Sequence, residues 1–242
     1  TCREYIPTEQ NIALAGITLP VAAVSGFTLA EVMITLAITG VVAALVVPPV
    51  LHQVEMMQYK AAWKETYSMI SQAVIKFAQD KGGSIKGICA SGICIVQNLE
   101  NYIKYTKKCH TWGQIVSDGC WTSYKLLNGT APSAYPGYGF IANNGAFIGS
   151  NNAYSSCNSA LGSTGLRYCG ELLVDINGNK SPNVAGKDIY YIYILENRIL
   201  PAGIPGDNSD SQQCIQPPAP GWDWNGAYPN YGWGCATKHL KE

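Results

Sequence analysis

The ionisable residue that most constrains this sequence is Glu31, which directly precedes twenty uncharged residues, Val32–Leu51. As a helix, that stretch would be about 30 Å long, close to the thickness of a bilayer core. A carboxylate costs about 2.5–3.5 kcal/mol at the centre of a membrane helix and less near its end. The sequence therefore predicts that a positively charged partner neutralises Glu31.

A new N-terminus at Phe27 would supply such a charge. Cleavage between Gly26 and Phe27 would leave an α-amine on Phe27 that is mostly protonated at neutral pH. In a stack of parallel helices offset by a few residues, the amine of one copy could meet Glu31 of its neighbour. Breaking a buried ion pair costs about 3–5 kcal/mol, so this contact would fix the register of the stack. An ordinary single-pass anchor is the alternative, but it gives no reason for Glu31.

The segment Gly26-Phe27-Thr28-Leu29-x-Glu31, followed by an uncharged stretch, resembles the processing and assembly motif of type IV pilins and type II secretion pseudopilins. The resemblance implies that a prepilin peptidase cuts after Gly26 and N-methylates Phe27. It also implies that the mature subunits polymerise through this helix. Pilin helices commonly contain a proline near the position of Pro48, and a kink or a melted turn is expected there because proline lacks an amide donor.

The same resemblance implies where the protein acts and what it contacts. The subunit would first be a single-pass protein of the bacterial inner membrane, with its head outside, and would then enter a filament in the periplasm or at the cell surface. Its expected partners are other pilin subunits, the prepilin peptidase, the inner-membrane assembly platform and membrane lipid. Lys plus Arg equals Asp plus Glu, 16 each, so the charge does not indicate a nucleic-acid partner.

Residues 1–26 are predicted to be a leader that is removed, although they differ from the leaders of that family. Arg3 is their only basic residue and is accompanied by Glu4 and Glu9. The stretch Ile12–Val24 resembles the apolar core of a signal peptide. The lack of an initiator methionine suggests an incomplete or misplaced start.

Cysteines indicate that the region after residue 81 folds outside the cytosol. Eight of the nine cysteines follow the uncharged stretch, and an even number in a loop-rich region predicts disulfides. Eight cysteines allow 105 pairings, and the sequence leaves open whether the first two form a local bridge or pair with distant partners. The candidates are Cys89, Cys94, Cys109, Cys120, Cys157, Cys169, Cys214 and Cys235.

A second set of chemical groups lies in the loop Asp175–Asp188, DINGNKSPNVAGKD. Several pilin-like proteins resemble it, and this resemblance implies a calcium site with Asp175, Asn177 and Asp188 as oxygen ligands. The spacing is not that of an EF-hand. The alternative is a network of Asx turns in which these side chains bond nearby backbone amides without metal, and we favour this alternative slightly.

The C-terminal stretch Pro217–Cys235 concentrates aromatic residues among glycine and proline. Trp222, Trp224 and Trp233 could bind a ligand, so a membrane-tethered or pilus-tip adhesin that binds carbohydrate is the alternative function. Packing of these rings over the sheet is the simpler interpretation. No catalytic motif is present and His52, His110 and His239 lack zinc spacing, so we do not expect an enzyme.

These sites require a particular arrangement of elements. Residues 27–81 are predicted to form one long helix, with a transmembrane and assembly half at 27–51 and an amphipathic half from His52 to Lys81 that ends at Gly82-Gly83. Its apolar stripe is assigned to Val54, Met57, Ala61, Tyr67, Met69, Ala73, Val74, Phe77 and Ala78.

Residues 82–242 are predicted to form one disulfide-rich head. We expect a short helix or turn at Leu99–Lys108, a hairpin at Tyr138–Gly149 that turns at Asn144-Gly145, and strands at Glu171–Ile176, Asp188–Leu195 and Arg198–Leu200. The predicted fold class is α+β with a pilin-like layout, in which the long helix packs on a small antiparallel sheet.

Overall fold

Helix α1 begins at Leu29 and ends at Asp80 in the computed structural model, which describes residues 27–132, 135–207, 209, 214 and 231–242. Gly82 and Gly83 follow with φ angles of 83° and 102°, values that glycine adopts without strain. The amide of Gly83 donates to the carbonyl of Ala78 at 2.8 Å and closes the helix end. The predicted end of the helix is therefore confirmed.

Pro48 and Pro49 lie inside α1, and the helix continues through both. The melted turn that we considered at this point is not seen, and the segment is helical. The chain nevertheless divides here into two units, residues 1–49 and residues 50–242.

The unit that follows Pro49 contains a six-stranded antiparallel sheet in the order β1-β2-β3-β6-β7-β8. A separate two-stranded sheet pairs β4 with β5. The elements after α1 are α2 (Gly92–Leu99), β1 (Tyr105–Cys109), β2 (Tyr138–Ala142), β3 (Phe147–Ser150), β4 (Ser159–Ala160), β5 (Arg167–Tyr168), β6 (Gly170–Asp175), β7 (Ile189–Ile194), β8 (Ile199–Pro201) and α3 (Cys235–Lys241).

The predicted hairpin is confirmed as β2 and β3, with Tyr138 opposite Ser150 and Ile141 opposite Phe147. The strands predicted on either side of the Asp175–Asp188 loop are confirmed as β6 and β7, which are antiparallel neighbours. The expectation of a short helix or turn at Leu99–Lys108 is only partly confirmed: residues 100–102 form a turn, but α2 ends at Leu99 and residues 105–109 form the edge strand β1. The first four residues of β1 are exposed, so it lacks the alternation that marks a half-buried strand.

The two faces of the sheet carry separate clusters, as the period of two along each strand requires. Leu172, Val174 and Ile192 belong to the cluster that includes α1 and α2. Leu173 and Ile189 belong to a second cluster with Trp121, from the stretch that follows β1. The α+β layout, with a long apolar N-terminal helix packed on an antiparallel sheet and several disulfides, is thus the one expected.

The buried stripe of α1 differs in part from the expected one. Ala73, Val74, Phe77 and Ala78 are buried as predicted, whereas Val54, Met57 and Ala61 are exposed. The stripe instead begins with Trp63, Thr66 and Ile70, which are completely buried. Trp63 stacks on Tyr190 of β7 with ring centroids 4.2 Å apart.

Candidate functional site

The start of α1 is capped by hydrogen bonds between Thr28 and Glu31. Glu31 Oε2 accepts from the Thr28 amide at 2.8 Å and from Thr28 Oγ1 at 2.9 Å, and the Glu31 amide donates to Thr28 Oγ1 at 3.2 Å. This reciprocal pattern is a capping box, which satisfies amides that a helix leaves without partners at its N-terminus. Sequence reasoning missed this role, although the spacing Thr-x-x-Glu could have indicated it.

The cap satisfies hydrogen bonds of Glu31 but does not neutralise its charge. None of the ion pairs found among the described residues includes Glu31. Phe27 and Leu29 are 87% and 78% exposed. Gly26 lies outside the described residues, so compensation of Glu31 by a Phe27 amine from another copy stays a prediction.

The apolar surface after Glu31 is continuous. All residues from Phe27 to Glu55 are exposed, and α1 is the one described helix that is long and apolar enough to cross a membrane. Apolar patches of this extent in proteins mark contact with lipid or with another protein. This segment is therefore suited both to a bilayer and to a bundle of helices.

The Asp175–Asp188 loop brings the two predicted acidic ligands into the interior, where Asp175 is 1% exposed and Asp188 is completely buried. Asp188 Oδ2 accepts from the Asn183 amide at 2.8 Å, and its Oδ1 accepts from the Val184 amide at 2.7 Å. Asp175 Oδ1 accepts from the Asn177 amide at 3.2 Å. These contacts are those of the Asx-turn alternative.

Asn177 lies between the two acids, and oxygen atoms face both ends of its side-chain amide. One end lies 2.7 Å from Asp175 Oδ1 and 3.1 Å from the carbonyl oxygens of Gly178 and Lys180. The other end lies 3.3 Å from Asp188 Oδ2 and 3.3 Å from the carbonyl oxygen of Ser181. An amide has donors at only one end, so its oxygen faces other oxygens in either orientation.

Burial disfavours the charged form of both acids. It raises the pKa of Asp175 to about 9, and the neighbouring Asp188 carboxylate acts in the same direction. Burial also raises the pKa of Asp188, although backbone amides oppose this shift. Asp175 is therefore mostly protonated at neutral pH unless a cation replaces the proton.

The four disulfides among the described residues are all local in sequence. The pairs are Cys89–Cys94, Cys109–Cys120, Cys157–Cys169 and Cys214–Cys235. The first two cysteines thus form the local bridge, one of the two alternatives that the sequence left open. His239 lies within 4.8 Å of Cys214 and Cys235, but these cysteines are oxidised and offer no thiolate to a metal.

The C-terminal residues anchor α3 to α1 and to the sheet. Trp63 Nε1 donates to the Ala236 carbonyl at 2.9 Å, and His239 Nδ1 lies 3.0 Å from the Tyr190 hydroxyl. Burial lowers the pKa of His239 to about 4, and the positive charges of Lys60 and Lys238 act in the same direction. His239 is therefore neutral at physiological pH.

Of the three tryptophans considered as ligand-binding residues, Trp222 and Trp224 lie outside the described residues. Trp233 is half-buried, with its ring centroid 5.5 Å from that of Tyr191 and 6.0 Å from that of Tyr124. These contacts favour packing rather than ligand binding for Trp233.

The fold has a pilin-like layout, and its N-terminal helix is long and apolar enough to cross a membrane. A family model described as the prokaryotic N-terminal methylation motif matches residues 22–47, and this motif is the signature of type IV pilins and pseudopilins. No curated protein and no solved structure matches the chain. The motif supports processing by a prepilin peptidase and points to a structural protein rather than an enzyme.

Proposed function

We propose that this chain is a structural subunit of a type IV pilus or a type II secretion pseudopilus, and that it polymerises through residues 27–51. The supporting observation is Glu31, a charged residue with no described ionic partner, at the start of the apolar segment 27–55, which is fully exposed and carries the methylation motif. The methylated amine of Phe27 from one subunit neutralises Glu31 of the next. This contact sets the offset between neighbouring helices.

The cap gives Glu31 a second role, and the test must separate the two. Glu31→Gln removes the charge but keeps a residue that can complete a capping box. Thr28→Ala keeps the carboxylate and removes the cap, which costs about 1 kcal/mol of helix stability. Loss of one partner of a buried ion pair costs about 3–5 kcal/mol at each contact, so the charge should dominate assembly.

Both variants are expressed in cells that contain the assembly machinery. The amount of each variant in sheared filaments is then compared with its amount in the membrane fraction. Intact masses of the membrane-bound subunits establish that both variants are processed. We expect Glu31→Gln to remain in the membrane and to be absent from filaments, whereas Thr28→Ala assembles. Normal filaments from Glu31→Gln, or loss of filaments only in Thr28→Ala, would contradict the charge-pair mechanism.

We also propose that the Asp175–Asp188 loop binds calcium. Two buried carboxylates, the Asn177 amide and the carbonyls of Gly178 and Lys180 form the oxygen-rich set that calcium prefers. A bound calcium ion would take the place of the Asp175 proton, which otherwise can be donated to the amide oxygen of Asn177 at 2.7 Å. Asp175 would hold it after losing a proton, while the amides of Asn183 and Val184 keep Asp188 in place.

The calcium proposal predicts a stabilisation that depends on pH. At a calcium concentration 100 times the dissociation constant, the gain would be about 2.7 kcal/mol. The pKa of Asp175, raised to about 9, makes protons compete with calcium, so the gain should increase between pH 6 and pH 8. Thermal melts in calcium and in chelator measure this for the wild type, for Asp175→Asn, and for Asp118→Asn as an exposed control. Equal melting of the wild type in both buffers would exclude the site.

A further inference from the structure

A pocket of about 350 Å³ lies beside the loop that the Cys109–Cys120 disulfide closes. Its volume is within the range of small-molecule sites. The described residues that line it are uncharged, and they include the rings of Trp112, Trp121 and Tyr135 and the side chain of Asn151. Trp233 is not among them.

Two of the rings are exposed although each is held by a neighbouring ring. Trp112 is 59% exposed and its centroid lies 5.4 Å from that of Tyr138. Tyr135 is 44% exposed and its centroid lies 5.8 Å from that of Tyr124. Gly137 provides the space for Trp112, because a Cβ atom there would lie 2.0 Å from Cζ3 of the indole. The rings thus have fixed positions and free surfaces.

Hydrogen bonds and the Cys109–Cys120 disulfide fix the backbone of this loop. The amides of Cys120 and Trp121 both donate to the Ile115 carbonyl, at 2.9 and 3.0 Å. The Asn179 side chain donates to the Gly119 carbonyl at 2.5 Å. The disulfide adds a covalent constraint, so a ligand would meet a wall that is already formed.

Trp121 is a buried residue of the pocket wall, and its indole nitrogen is closed to solvent. It is 1% exposed and forms part of the pocket wall, and its Nε1 has no hydrogen-bond partner within the described parts of the chain. A buried indole N–H normally has an acceptor. The exposed Asn151 side chain in the same wall offers both a donor and an acceptor.

We propose that this pocket binds a neutral carbohydrate. The exposed faces of Trp112 and Tyr135 suit the C–H faces of a pyranose ring, and the Asn151 amide suits its hydroxyl groups. Among the described residues, the lining holds no charged side chain that could pair with phosphate, carboxylate or sulfate groups. This inference is independent of filament assembly, because it uses no residue of α1.

The test uses the full chain in micelles of a polyoxyethylene detergent, since glycosidic detergents would compete for the pocket. Methyl β-D-glucoside, methyl β-D-galactoside and N-acetyl-D-glucosamine are titrated separately, and tetramethylammonium serves as a cationic probe of the same rings. Indole N–H resonances report binding, and the Trp121 signal is the one that Trp121→Phe removes. Binding of a single sugar ring is expected in the millimolar range.

We expect at least one sugar to shift the Trp121 resonance in a saturable manner. Trp112→Ala should weaken that binding about tenfold, whereas Tyr105→Ala, which removes an exposed ring elsewhere, should leave it unchanged. The Trp112→Ala protein should melt normally because the side chain is largely exposed. Binding of tetramethylammonium without any sugar, no saturable shift, or equal affinity in Trp112→Ala would each overturn the proposal.

Discussion

Replacement of Trp63 tests how α3 and the sheet are joined to α1. Trp63 is completely buried, stacks on Tyr190 and donates to the Ala236 carbonyl. Trp63→Phe removes this hydrogen bond, which contributes about 1 kcal/mol. The smaller ring also leaves unfilled space, which adds about 1 kcal/mol or more. We therefore expect the free energy of unfolding to fall by about 2 kcal/mol.

The same site allows a graded series. Trp63→Ala should lower the free energy of unfolding by about 3–5 kcal/mol, because the whole ring and its stacking contact with Tyr190 are lost. For a chain of this length, 1 kcal/mol changes the melting temperature by about 2–4 °C, so Trp63→Phe should lower it by about 4–8 °C. The control is Trp112→Phe, an exposed tryptophan whose replacement should change stability by less than about 0.5 kcal/mol.

Urea unfolding with intact disulfides, followed by near-ultraviolet circular dichroism, measures these differences. The assay also reports whether the slope with urea changes, which would indicate departure from two states. If Trp63→Phe and Trp112→Phe unfold at the same urea concentration, the contact between α3 and α1 does not contribute the expected stability of about 2 kcal/mol.

Two further predictions concern the head. The pKa of His239 is lowered from 6.5 to about 4, so the unfolded chain binds more protons than the folded chain between these pH values. The free energy of unfolding should therefore fall as the pH decreases, by up to about 3 kcal/mol. The urea midpoints at pH 7 and pH 5 should differ less in His239→Gln than in the wild type. Gly139→Ala places Cβ 2.3 Å from Cζ of Phe147 and 2.7 Å from the Ile148 carbonyl oxygen, so it should lower the melting temperature by several degrees. Gly113→Ala should lower it less, because the new Cβ meets no atom there and the cost is limited to the strain of a φ of 76°.

Elements with a strong local pattern were predictable from the sequence. The stretch Asp188–Leu195 is rich in β-branched and aromatic residues and forms β7. Asn144-Gly145 forms the turn of the hairpin, with Gly145 at a φ of 88°. Gly82 and Gly83 end α1 for the same conformational reason.

Features that depend on tertiary contacts were not predictable in the same way. Strand β1 is polar and exposed because it lies at the sheet edge, so its sequence resembles a turn. The helical period gave the general face of α1, but only the position of the sheet shows that burial begins at Trp63. Disulfide partners and the oxygen atoms around Asn177 depend on how loops fold together.

The candidate N-terminal site was recognisable from the local sequence alone, but its predicted contact does not lie within one chain. Its motif and charge pattern were evident from residues 26–51, whereas the contact that they predict is between two copies of the chain. The capping box of Thr28 and Glu31 was also encoded locally, in the spacing Thr-x-x-Glu, so the same residue carries both a charge and a cap.

The most direct test of the assembly mechanism is the intact mass and N-terminal sequence of the protein purified from cells that process it. The mechanism predicts a mature chain that begins with N-methylated Phe27, because that amine supplies the charge for Glu31. A mature chain that begins at any other residue would contradict it.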